Sequence, residues 1–164
     1  MAKRAVPLAV ALLSLAGNAA AAQETPPSLP VNVDTEQAVN ACVAAADRNR
    51  PLAELSLAQR RRIVACVFAN TARQINSQLP TQVDEITRLD RITVSGPVLT
   101  YHYTISRRLA ELPANVRELA EQSTRSKVCS EANMRQTLQM GGAYGYRWVD
   151  ADGREIHIFR IEAC

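Results

Sequence analysis

From residue 34 onward the apolar positions recur every three to four residues, then every two, and each period marks an element. Ala38, Val39, Cys42, Val43 and Ala46 form one helical stripe, with Asp34 and Gln37 spaced as cap and reciprocal partner and Pro51 as a stop. A second helix is predicted from Ser56 as cap, carrying Val64, Phe68, Ala72, Ile75 and Leu79 to Pro80. The two form a helical hairpin. From Leu89 the period is two: Ile92 and Val94, a break at Ser95-Gly96-Pro97, then Leu99, Tyr101, Tyr103 and Ile105. Pairing Val94 with Leu99 and Ile92 with Tyr101 gathers these side chains on one face.

The helical period returns after Pro113 with Val116, Leu119 and Ala120, running toward Val128 and Cys129. Ser130 is placed to cap a short helix with Met134 and Leu138, closed by Gly141 and Gly142. A second hairpin follows: Tyr144, Tyr146 and Trp148 alternate, Asp150-Ala151-Asp152-Gly153 turns, and Glu155 to Ile161 returns. A three-residue loop would set Trp148 opposite Ile156 and Tyr146 opposite Ile158. The expectation is an α+β fold: an N-terminal disulfide-linked helical hairpin (34–80), then a ββααββ unit (81–164) whose two antiparallel hairpins form one sheet packed against helices.

The residues before 34 change the compartment. Lys3 and Arg4, an apolar run from Val6 to Ala16, and the small residues Ala19 to Ala22 read as a cleavable signal peptide over 1–22, followed by a proline-rich extended lead-in over 23–33. The run is too short and broken to span a bilayer, and no lipidation cysteine follows it. The product is expected to be periplasmic, or secreted, without a membrane anchor. Loss of Lys3 and Arg4 leaves 17 of the 19 basic residues against 16 acidic ones, a balance that does not support nucleic-acid binding. Arg60, Arg61 and Arg62 fan out around a helix as a solvated surface.

Export makes disulfides the expected state of Cys42, Cys66, Cys129 and Cys164. Four cysteines allow three pairings; proximity of the elements favours Cys42–Cys66 across the helical hairpin and Cys129–Cys164 at the junction of the central helices.

Reactive chemistry is hard to find. The two histidines, His102 and His157, read as solvent-facing strand residues, and oxidised cysteines cannot serve as metal ligands. There is no CxxC pair, GxSxG elbow, HExxH helix or phosphate loop. Asp84, Glu85 and Asp90 read as a polar strand entry, and Asp150 and Asp152 as a turn without calcium-loop spacing. The expectation is a non-enzyme with no catalytic residues, metal or cofactor. One constellation favours binding: Tyr101, Tyr103, Tyr144, Tyr146 and Trp148, which either fill the core under the helices or present anchors for a protein partner where part of the sheet stays open.

The run INSQLP, the strand VLTYHYTI, the segment VCSEANMRQTLQMGGAYGYRWVDADG and the closing cysteine together resemble the small α/β pilot proteins (pilotins) of type II secretion, over about residues 70–164. That resemblance implies a protein that binds a short segment of the secretin subunit and carries it to the outer membrane. The chain departs from the family in lacking a lipidation cysteine and in adding the helical region with its own cysteine pair. The first expectation is therefore a soluble periplasmic protein-binding factor, an inhibitor or immunity-type protein neutralising a toxin delivered by a secretion system. The alternative is a pilotin-like assembly factor for a secretin.

Overall fold

The computed structural model describes residues 35–43 and 50–164. The proposed signal peptide and lead-in, the Asp34 cap and the Ala46 end of the first stripe lie outside the described residues. The fold is α+β, a five-stranded sheet packed against helices.

Helix α1 spans Thr35–Cys42 and α2 spans Leu57–Asn76. Ser56 caps α2 as predicted, its hydroxyl accepting from the Gln59 N–H while the Gln59 side chain reaches back to the Ser56 N–H. The predicted stripe faces inward, with Val64, Phe68, Ala72 and Ile75 buried. Leu79 falls beyond the helix end but still packs on the core. Cys42 bonds Cys66 and ties α1 to α2.

Strand β1 (Thr81–Gln82) is short and pairs with β2 (Thr87–Ser95), which turns at Gly96-Pro97 into β3 (Val98–Ile105). Val94 lies opposite Leu99 and Ile92 opposite Tyr101, the predicted register. Helices α3 (Val116–Ser130) and α4 (Ala132–Gln139) then cross over the sheet. Glu131, rather than Ser130, sits at the start of α4: Ser130 ends α3, and its hydroxyl is spent on the Lys127 carbonyl. Gly141, at φ +82°, takes the left-handed position after α4 that a side chain would strain.

Strands β4 (Ala143–Val149) and β5 (Glu155–Ile161) complete the order β1-β2-β3-β4-β5. β4 joins β3 in parallel, the only parallel junction in the sheet, and it merges the two hairpins. The β4–β5 register differs from the expected one: Trp148 lies opposite His157 and Tyr146 opposite Phe159. Val149 pairs with Glu155, which makes the loop five residues, and an irregularity at Trp148/Val149 shifts the ladder by one. Phe159 and His157 therefore take the helix side and Ile158 is left 56% exposed.

The turn is built around Asp150, which is buried; its carboxylate accepts the N–H groups of Asp152, Arg154 and Leu109. The core combines the α2 stripe with Leu89, Ile92, Leu99, Tyr103, Tyr144, Tyr146 and Ile161 from the sheet and Val128 and Leu138 from α3 and α4. Cys164 bonds Cys129, fixing the end of β5 to the α3–α4 junction.

Candidate functional site

The parallel β3–β4 register sets Tyr101 beside Tyr146 and Tyr103 beside Trp148, all on the helix side of the sheet. Antiparallel pairing then adds Phe159 beside Tyr146. The result is a continuous run of rings: His157 to Phe159 at 5.0 Å between centroids, Phe159 to Tyr146 at 5.3 Å, Tyr146 to Tyr101 at 5.3 Å, Tyr101 to Tyr103 at 6.2 Å and Tyr103 to Trp148 at 4.5 Å. Pairs of this kind contribute roughly 0.5–1.5 kcal/mol each beyond their buried area.

The five aromatic residues singled out from the sequence divide into two groups. Tyr144 is buried under α2, its ring 5.4 Å from that of Phe68, and belongs to the core. Tyr101, Tyr103, Tyr146 and Trp148 line a groove of about 270 Å³ between the sheet and α3. One wall is Ser123, Thr124, Lys127 and Val128 of α3; the other is Val83, Asp84 and Thr87, and Met134 of α4 also contributes. Apart from Val128, the α3 wall could not be read from the pattern, because Ser123, Thr124 and Lys127 are polar and carry no period of their own.

The floor is apolar in character but has polar handles. Burial, reinforced by the neighbouring phenols, pushes the Tyr101 and Tyr146 hydroxyls far above their ordinary range, and burial does the same to Tyr103. These phenols remain protonated hydrogen-bond donors at any physiological pH. The Trp148 Nε1–H is buried without a protein acceptor among the described residues. Asp84 is committed locally, its Oδ1 accepting the N–H groups of Ile86 at 2.9 Å and Thr87 at 2.8 Å.

Helix α3 has a single buried residue, Val128, near its C-terminal end. Polar contacts hold the helix to β5 and the segment that follows: Arg117 Nε donates to the Ile156 carbonyl at 2.7 Å, Glu121 meets His157 Nε2 at 3.1 Å, and Arg125 donates to the Ala163 carbonyl at 3.3 Å. His157 is thus not solvent-facing as the sequence implied; the shifted register turns it toward α3, and its hydrogen bond holds the Glu121 carboxyl below its usual range. His102 lies on the other face, Nε2 2.8 Å from the Thr93 hydroxyl; burial, then Arg91 and Arg147, lowers its pKa.

No cluster of three or more metal-ligating side chains occurs among the described residues. Asp90 accepts from Thr104 and pairs with Arg88, so its carboxylate is spent on strand contacts. No helix among the described residues is long and apolar enough to cross a membrane.

No protein-family model matches the chain, and no curated protein matches it in sequence. The fold, by contrast, has solved counterparts. The EpsS pilotin of the Vibrio vulnificus type 2 secretion system superposes with a TM-score of 0.57 at 19% identity, covering 65% of this chain and 94% of that one. PA3611 of Pseudomonas aeruginosa, a candidate secreted protein, gives 0.55 at 20% identity over 63% and 93% of the two chains. The AspS pilotin of the Vibrio cholerae type II secretion system gives 0.52 at 19% identity over 64% and 94%. The sheet packed against helices makes up a pilotin-like fold.

Proposed function

We propose that this chain is a pilotin-like assembly factor, a non-enzymatic protein of the cell envelope that takes a short segment of a secretion-system secretin into the groove between the sheet and α3. The observation that carries the reading is the fold shared with two type II secretion pilotins. The groove gives it a location: Tyr101, Tyr103, Tyr146 and Trp148 offer the rigid aromatic surface on which protein segments are usually anchored. Tyr144, under Phe68, supports this floor from within the core. The inhibitor or immunity-type reading gains no support from the comparisons and gives way to the alternative.

The test is calorimetric titration of residues 23–164 with overlapping peptides that tile the secretin subunit of the same genome. One peptide region is expected to bind, and Thr124→Arg, which fills the groove from the α3 side without touching the core, is expected to weaken it at least tenfold. Binding of no tile, or a binding tile indifferent to Thr124→Arg, overturns the proposal.

A further inference from the structure

We infer that the groove selects a segment carrying a carboxylate beside its apolar side chain, and that Lys127 is the residue that reads it. The inference rests on the groove being the partner site and adds the chemistry of what enters.

The cations of this chain are almost all arginines: Lys3 and Lys127 are its only lysines. Many of those arginines have protein partners. Arg88 pairs with Asp90, Arg108 with Asp152, Arg125 with Glu121, Arg147 with Glu155 and Arg160 with Glu162, while Arg117 and Arg135 donate to carbonyls. Lys127 differs in place and in partnership. It stands on the wall of the aromatic groove, and among the described residues no carboxylate lies within ion-pair range of its ammonium. Asp84, the groove's own carboxylate, lines the opposing wall and is held by two backbone N–H groups.

The local geometry gives the ammonium a use. Beside a floor of stacked rings, solvent is thinned, and a charge there is screened less than on open surface. An apolar side chain over Tyr101, Tyr103 and Trp148 would bring a neighbouring carboxylate to the α3 wall, where the flexible lysine stem can reach it. The Trp148 Nε1–H, buried without an acceptor among the described residues, lies at the same floor. A positive charge in the last turn of α3 also favours the helix dipole, so a purely structural role has to be separated by selectivity rather than by stability.

The test uses a matched pair of probes, 4-phenylbutyrate and 4-phenylbutyramide, titrated against residues 23–164 at low salt. Trp148 is the only tryptophan, so its emission reports the groove directly. The acid is expected to bind about three- to tenfold more tightly than the amide, with the preference shrinking as salt is raised. Lys127→Gln should abolish the preference while keeping the amide's affinity, and Lys127→Arg should restore part of it. Equal binding of acid and amide to the unaltered protein, or a preference that survives Lys127→Gln, overturns the carboxylate assignment and leaves the groove standing. If neither probe perturbs Trp148, the groove reading itself falls with it.

Discussion

Three of the four tyrosines of the chain belong to the run of rings and the fourth, Tyr144, packs on Phe68, and in each of them burial raises the phenol pKa. A raised folded-state value means stability that is full below the ordinary tyrosine pKa of about 10 and is lost as pH rises through the higher folded value. Spectrophotometric titration of the native protein should therefore show almost no tyrosinate near pH 10, whereas in denaturant all four should titrate there. Asp150 works in the opposite sense. Burial alone would raise its carboxyl, but the N–H groups of Leu109, Arg154 and Asp152 and the charge of Arg154 outweigh burial and depress it. Its contribution is present above the ordinary carboxylate range, about 3.9, and lost as pH falls through the lower folded value. Asp150→Asn should lower the melting temperature at neutral pH and flatten its decline in acid; an unchanged acid profile would sink this account.

Among the elements, β5 borders the sheet, β2 has a free edge beyond the two residues of β1, and each meets a helix side chain there. Asn76, the last residue of α2, donates Nδ2 to the Ile92 carbonyl at 2.8 Å and accepts the Ile92 N–H on Oδ1 at 2.7 Å, so it substitutes for a strand neighbour where β1 has ended. Asn76→Ala leaves both backbone groups without this partner and should cost about 1–2 kcal/mol by urea denaturation. Legibility in the sequence also varied by element. The β2–β3 register was readable because Gly96-Pro97 leaves one tight connection between two alternating strands. The β4–β5 register was not: with His157 taken as polar, alternation favours Ile156 and Ile158 over His157 and Phe159, and the irregularity at Trp148/Val149 that exchanges their faces leaves no mark in the pattern. Likewise, the floor of the groove was visible as alternating aromatics, but its α3 wall was not, because Ser123, Thr124 and Lys127 acquire their role only from where the crossover lays the helix.

For the molecule as a whole, seven residues, Phe68 and Phe159 with Tyr101, Tyr103, Tyr144, Tyr146 and Trp148, account for every Phe, Tyr and Trp in the sequence and lie in or against one core cluster. Their concentration on one side of the sheet makes the groove continuous with the core, so whatever fixes α3 also fixes the groove. The Cys129–Cys164 bridge does so from one end. It closes 35 residues of chain, which in a loop-entropy account corresponds to roughly 3–4 kcal/mol. Replacing both cysteines by serine should lower stability by about that amount. It should also increase acrylamide quenching of Trp148 before global unfolding, since α3 has little other burial to hold it. Quenching that changes only at the global transition would show that α3 stays seated without the bridge.

The parallel junction between β3 and β4 has a kinetic consequence. Each hairpin closes a short loop and can form on its own, but Val98 meets Ala143 only after the whole α3–α4 crossover has been gathered between them. The slow step of folding should therefore be the meeting of two preformed halves, with the aromatic floor absent until that moment. A newly made chain would acquire its hairpins early and complete its aromatic groove last.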